Sequence, residues 1–433
     1  MALSNTPPVP AAGAPAPTGA GVPAGGGPSA PRSFVVTLTL AQFGLFLALL
    51  APVMVTMQLK ASQLDPVDPA SVIGAVLPWG ALGAFIANPL FGMLSDRTRS
   101  RFGRRRPWIL GGALVFTAAL VWVAGAPSVL QLGIAWFVAQ VAANAVLACL
   151  IAAVADQVPE RQRATVSSWV GIAQNASVLL AFVIAVRFTF SMWPLFLVPA
   201  AIGLVTVLVF VARLDDTPHP EPREPFDLKA FARTFYTSPR KNPDFALAWW
   251  SRFFIIFGSF MFTTVRVLYL EHSFALDAGG ATLVALVGVA VYTVALVVAA
   301  RAAGWASDRF GQRKVFVALS TVLFAVGLVM LAHVETTGGF YLAEVVMGLA
   351  YGVYLAVDTA LVIDVLPSSE EAGKDLGVLN MANALPQSLA PAAAAALLAV
   401  GSATSENYGL MLWVAGVVTV LGAVAIMFVR KVR

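Results

Sequence analysis

The chain has 433 residues, 59% of them hydrophobic and only 11% charged, with a mean hydropathy of +0.83 and a formal net charge of +5. Soluble domains carry about 25% charged residues, so this composition excludes a water-soluble globule of such length and assigns the chain to a bilayer. The basic residues sit in short connectors between apolar runs, which is a membrane-topology pattern and argues against nucleic acid as a partner.

Residues 1–32 are Ala, Gly and Pro with almost no charge and are expected to form a disordered tail. They lack the basic start and compact apolar core of a cleavable signal peptide, so the first membrane helix is expected to be the uncleaved targeting signal. A span needs roughly 20 apolar residues. Twelve such runs follow, near 34–58, 71–95, 108–126, 129–154, 165–188, 191–212, 245–268, 280–305, 315–334, 338–364, 376–399 and 409–430. A hydrophilic stretch, 214–243, divides them six and six. The expected units are therefore a bundle at 33–213, a cytoplasmic loop whose DLKAFARTF portion could lie on the membrane as an amphipathic helix, and a bundle at 244–433. All but four of the 27 Lys and Arg (Lys60, Arg187, Arg252 and Arg266) fall in the tails, the even-numbered connectors or the adjoining helix ends. Basic residues stay on the cytoplasmic side, so both termini are expected inside, in the cytoplasmic membrane.

Between the second and third runs the chain reads GMLSDRTRSRFGRRRPW, with six arginines and one acid between Asp96 and Arg106. A weaker copy, GWASDRFGQRK, follows the eighth run, and Asp96 and Asp308 are 212 residues apart, about half the chain. A repeat at half-length implies two related bundles, the architecture of many secondary transporters. The motif can act as a cytoplasmic latch built from Gly92, Asp96, Arg97, Arg104, Arg105 and Arg106, with Gly304, Asp308 and Arg309 in the second copy. Asp156, at the inner end of the fourth run, is placed to pair with Arg97 or Arg106. The competing reading is that the arginines only fix topology and touch anionic lipid, and it is preferred for Arg99 and Arg101.

Four charges lie at bilayer depth, where each costs ~3 kcal/mol and is usually paired or wet. Arg252 and Arg266 are in the seventh run, Glu344 and Asp358 in the tenth. The two helices run antiparallel, so Arg252 matches Asp358 in depth and Arg266 matches Glu344, giving two expected ion pairs. A carboxyl that alternates between burial and an arginine changes its proton affinity, which makes Asp358 a candidate proton site; a permanent structural salt bridge is the alternative. Gln42, Asn88, Gln174, Asn175, Asn380, Asn383 and Gln387 are amides able to donate to and accept from sugar hydroxyls, or to serve as glue between helices. Trp79, Trp136 and Trp250 could present a flat face to a sugar ring or anchor the interface.

The Gly-x-x-x-Asp-Arg motif and its echo resemble the hallmark of the major facilitator superfamily. SDRTRSRFGRRRPWI, AQFG (Ala41–Gly44) and YGVYLAVDTALV (Tyr351–Val362) resemble, more narrowly, the plant sucrose transporters and the glycoside–pentoside–hexuronide branch. That resemblance implies a latch between Asp96 and the start of the eleventh helix near Asp375 and Leu376. It also implies a proton-linked acid in the fourth helix. Here that position holds Gln140, in Gln140-Val-Ala-Ala-Asn144, while Asp358 stands where those proteins have threonine. Either the acid is relocated across the cavity or the coupling differs.

Cys149 is the only cysteine, the three histidines show no ligand spacing, and GxSxG, GxxxxGK[ST] and HExxH are missing. The sequence is therefore expected to encode a non-enzymatic monomer with no metal and no cofactor. The leading expectation is a transporter importing a disaccharide or other glycoside with protons. The rival is a proton-antiport exporter, disfavoured by the lack of Gly-Pro in the fifth run; a non-transporting sensor is a third class.

Overall fold

The computed structural model describes residues 29–216, 237–310, 312–365, 372–402 and 404–430. Most of the N-terminal tail and the DLKAFARTF stretch lie outside the described residues, as do the side chains of Asp308 and Asn380.

Among the described residues the chain forms twelve long helices and no strand. They are α1 (Arg32–Leu64), α2 (Pro69–Arg97), α3 (Arg106–Gly125), α4 (Val129–Gln157), α5 (Glu160–Phe188), α6 (Met192–Arg213), α7 (Pro243–Thr263), α8 (Ala278–Phe310), α9 (Arg313–Leu331), α10 (Thr337–Val365), α11 (Ala372–Leu398) and α12 (Tyr408–Met427). Eleven are long and apolar enough to cross a membrane. The twelfth, α11, carries Asp375, Asn380, Asn383 and Gln387 together with Pro386 and Pro391, which lower its hydropathy. The chain is a multi-pass membrane protein.

The expected twelve runs correspond to these helices with shifted ends. α1 continues past 58 through a π-turn at Pro52–Thr56, where Pro52 has no N–H to offer the ladder. α8 runs on to Phe310 and takes SDRF into the helix. The seventh run is corrected more substantially. α7 stops at Thr263, Val265 leaves helical geometry, and Arg266 opens a separate short helix, Arg266–Phe274. Thr263 and Thr264 turn their hydroxyls back onto Ser259 O and Phe260 O at 2.8 Å, a bonding mode that bends helices.

Packing repeats by half. α1 packs on α5 and α6, α4 on α2 and α3, and α3 on α6; adding six to every number reproduces the second half, α7 on α11 and α12, α10 on α8 and α9, and α9 on α12. The halves meet along α2–α11 and α5–α8, a pair that the same operation interchanges. Small residues permit the tight crossings, as membrane helices require. A Cβ on Gly203 would stand 2.8 Å from Gly44 O, and one on Gly258, in the other half, 2.8 Å from Ala415 O. Gly44→Val, whose side chain would enter Thr206 and the Gly203 backbone, is expected to destabilise by at least the ~1–3 kcal/mol of an overpacked core. The readout is the thermal midpoint in detergent by size-exclusion, where an unshifted midpoint contradicts the close-crossing argument.

We call the end of the bundle bearing Arg104–Arg106 the arginine-rich end and its opposite the far end. Bonds joining the halves gather at the far end. Gln58 of α1 accepts from Val267 N at 2.7 Å and donates to Met54 O at 2.8 Å and to Thr263 O at 3.4 Å. Ser405 donates to Asp68 at 3.0 Å, and Gly74 of α2 fits against Ala395 of α11. Toward the arginine-rich end, α5 exposes Trp169, Ile172, Gln174 and Asn175, whereas its far half buries Ala181, Phe182 and Ala185. Among the described residues, the hydrogen bonds between the halves lie at the far end.

Candidate translocation pathway and gate

At the arginine-rich end a short loop, closed by an isolated bridge between Ser100 and Gly103, returns the chain from α2 to α3. Gly103 has φ +98°, and a Cβ there would run into Asp216, so only glycine suits the turn. Asp216 caps α3, accepting from Arg105 N at 2.6 Å and Arg106 N at 2.8 Å, as an acid at a helix start should. Arg105 is 4% exposed. It donates to Ser95 Oγ and Asp96 Oδ1, both at 2.5 Å, and to Asp156 Oδ2 at 3.2 Å. Arg104 adds a 2.7 Å ion pair to Asp156.

The geometry corrects the expected pairing of Asp156 with Arg97 or Arg106. Asp156 takes Arg104 and Arg105, because Arg106 begins α3 and turns its guanidinium to Leu214 O, while Arg97 is exposed at the end of α2. These bonds all lie inside the first half, bracing α2, α3 and α4 together. Gly92 and Gly304 are not forced by packing in this conformation: a Cβ on either would meet nothing within 4 Å. In the second copy Arg309 is exposed and lies over the Trp305 ring at 5.6 Å. Asp375 at the start of α11 is buried and accepts from Thr237 at 2.8 Å.

Inside the bundle both cross-helix pairs form. Arg252 Nε donates to Asp358 Oδ2 at 2.9 Å, and Nη2 binds the same oxygen. Arg266 Nε stands 3.1 Å from Glu344 Oε1, off the direction of its N–H, so that contact is ionic without being a directed hydrogen bond. Arg252 and Arg266 are fourteen residues apart in the chain, as are Glu344 and Asp358. Glu344 and Asp358 lie on one continuous helix, α10, so the two pairs stack about 21 Å apart along it. Asp358 is 2% exposed and Glu344 fully buried. Asp358 Oδ1 and both Glu344 oxygens have no hydrogen-bond partner among the described residues. Arg266 also lies 5.1 Å from the Phe262 ring centroid.

In the first half, Asn144 Nδ2 donates to Gln140 O at 2.9 Å and approaches Gln140 Oε1 at 3.3 Å, and Asn88 donates to Asn144 at 3.5 Å. Gln42 is buried, its Oε1 without a hydrogen-bond partner among the described residues. Gln174 and Asn175 are exposed on α5, Asn175 donating back to Gly171 O, and Asn383 is half-buried. Trp136 is buried against Gly80, its Nε1 without a hydrogen-bond partner among the described residues, while Trp79 and Trp250 are exposed.

Sequence reasoning did not single out Asp216, Gln58, Tyr351 or Tyr354. The two tyrosines were findable, since they precede Asp358 by seven and four residues and so share its face of α10. Tyr354 is buried with its hydroxyl beside Arg252 and Asp358, in no directed hydrogen bond among the described residues. Gln58 and Asp216 act on groups 209 and 111 residues away, which no local pattern shows.

Two six-helix halves related by a pseudo-twofold, with paired charges buried between spans, define a membrane transporter of the secondary type. The chain belongs to the Major Facilitator Superfamily, whose family model matches residues 32–291 and 251–433. It is 28% identical over 230 residues to the general alpha-glucoside permease of Schizosaccharomyces pombe, covering 45% of this chain and 41% of that protein. It is 53% identical over 49 residues to the inner membrane symporter YicJ of Escherichia coli, covering 11% of this chain and 10% of that one. These matches span less than half of either relative. An aspartate-to-alanine mutant of the nucleoside transporter NupG superposes with a TM-score of 0.71 at 15% identity, over 91% of this chain and 99% of that one. A bacterial homolog of the lysosomal transporter Spinster, inward-facing and unoccupied, gives 0.68 at 14% identity, over 92% and 97%. Both likenesses concern the fold alone.

Proposed function

We propose that the protein imports a disaccharide or other glycoside across the cytoplasmic membrane by proton-coupled symport. The bundles at 33–213 and 244–433 rock about a central site in alternating access. The arginine-rich end is cytoplasmic, as are both termini. The single observation that carries the reading is Asp358, buried, with one carboxylate oxygen on Arg252 and the other without a hydrogen-bond partner among the described residues. An acid paired with arginine at this depth is a costly arrangement that a transporter can use by exchanging the partner of the acid during its cycle. Gln140 with Asn144, opposite in the first half, and Gln42 supply the donors and acceptors that sugar hydroxyls ask for. The partial likeness to an alpha-glucoside permease supports the substrate class.

The test is uptake of a labelled sugar panel by proteoliposomes holding the purified protein, with and without an imposed inward proton gradient. Gradient-dependent accumulation of a glycoside is expected. No sugar uptake under either condition, with efflux of cationic dyes instead, would replace import by export.

A further inference from the structure

In the second half, the far ends of α9, α10 and α12 border a cavity of about 610 Å³ that belongs to neither buried pair nor the arginine loop. α9 packs on both α10 and α12. A Cβ on Gly416 would stand 2.8 Å from Val329 Cγ2 and 3.4 Å from Ala325 O, so α9 and α12 meet on small groups. Buried Ala325 and Gly416 floor the cavity. The exposed side chains of Val326, Leu342 and Val420 wall it, so it opens sideways from the bundle. Of the fourteen residues that line it, only His333 and Trp413 carry a side-chain nitrogen. Trp413 Nε1 donates to His333 Nε2 at 3.2 Å, and the two rings meet edge-on with centroids 5.7 Å apart.

His333 lies just beyond Leu331, the end of α9, and Trp413 falls in the second turn of α12, so this polar pair marks the far rim. Val322 lies eleven residues before His333, and Leu421 eight after Trp413. At 1.5 Å per residue the deep end of the cavity is about 16 Å from the rim along α9 and about 12 Å along α12. Half of a ~30 Å hydrocarbon core is about 15 Å. The cavity therefore runs through one leaflet, from the interface, where tryptophan is at home, to near the midplane. Water does not suit it, because a buried water needs several polar partners and the walls offer none. An empty void would forfeit the dispersion contacts of its lining. A helix from a second copy, about 10 Å across, is too broad for a slot between helices that touch at Gly416. A single lipid tail is not.

We infer that the cavity is a binding site for one acyl chain of a phospholipid in the far leaflet, with the oxygens of the lipid's glycerol-phosphate region at His333. Because His333 accepts at Nε2, its ring proton sits on Nδ1 and is left to donate to an ester or phosphate oxygen at the interface. Lipid tails are as apolar as the helix surface, so the preference comes from packing: contact with three helices replaces contact with one. The site is independent of the substrate and of the coupling ion, and its failure would leave the transport reading untouched.

The test is photolabelling of the full chain in phosphatidylcholine nanodiscs doped with a phosphatidylcholine that carries a diazirine midway along one acyl chain. Adducts are mapped by peptide mass spectrometry. Segments 322–330 and 417–421 are compared with 115–121 of α3, the pseudo-equivalent of α9, where Val115 and Val121 are exposed. At low probe fraction the cavity segments should carry about tenfold more adduct, the ratio that about 1.4 kcal/mol of extra contact gives. Their labelling should saturate as the probe fraction rises, while that of α3 grows in proportion. Val326→Phe and Val420→Phe, made singly and together at exposed wall positions, should fill the cavity, lower its labelling and leave α3 unchanged. His333→Ala, which removes the rim donor, should raise the probe fraction needed for saturation. Equal, unsaturating labelling of both regions would reduce the cavity to ordinary lipid contact and overturn the site. A dimer in native mass spectrometry that the phenylalanine variants dissolve would give this face to a second copy, and would overturn it too.

Discussion

Asp358→Asn is expected to abolish proton-driven accumulation while leaving substrate exchange between equal concentrations measurable. The substitution keeps the shape of the side chain and removes the charge that Arg252 holds. It strands a guanidinium whose side chain is only 14% exposed. Removing one partner of a buried pair costs about 3–5 kcal/mol, because the survivor stays charged in a poor solvent. The single variant should therefore lose thermal stability as well as coupling, which alone would not distinguish a proton site from a structural bridge. Arg252→Gln combined with Asp358→Asn removes both charges and should recover most of the stability. If Asp358 is the coupling carboxyl, accumulation stays absent in the double variant and exchange persists. Restored accumulation there would mean that the pair is structural and the proton travels elsewhere, with Glu344, buried beside Arg266, the next carboxyl to test.

Arg105→Ala should be the most damaging single change in the arginine-rich loop. Its guanidinium reaches Ser95, Asp96 and Asp156, on two different helices, from a buried position. Because Asp96 is 43% and Asp156 27% exposed, the loss is expected at about 2–3 kcal/mol, below that of a fully buried pair. Arg105→Lys should recover less than half, since one ammonium cannot reproduce a planar fork spread over three acceptors. Arg101→Ala, on an exposed side chain, should stay within about 0.5 kcal/mol. Thermal midpoints of the three variants in one detergent decide the matter. Equal shifts for Arg101 and Arg105 would reduce the loop to a topology signal and remove the argument for a braced α2–α3–α4 unit.

How much of this was legible beforehand differs by type of information. Apolar run length gave the spans, because each helix must satisfy its own backbone across the hydrocarbon and so needs a set number of residues. The half-length repeat of GxxSDR gave the relation between the halves. The buried pairs were legible for a related reason: the fourteen-residue spacing of Glu344 and Asp358 fixes two depths, and charges at depth must find one another. The Asp156 pairing was not legible, since six arginines within eleven residues are interchangeable until the turn at Gly103 aims each of them.

By itself, then, the sequence determined a bilayer protein of twelve helices in two related sets, with four intramembrane charges at two matched depths. Those follow from one-dimensional quantities: run length, period, spacing and the cost of burying charge. Only the tertiary structure decided that Arg104 and Arg105 take Asp156, that Asp216 caps α3, that Gln58 ties the α1 end to the short helix at Arg266, and that Ser405 of the second half reaches Asp68 of the first. Each of these joins groups distant in the chain, through side-chain direction and helix ends, and such contacts are fixed only when the helices have packed.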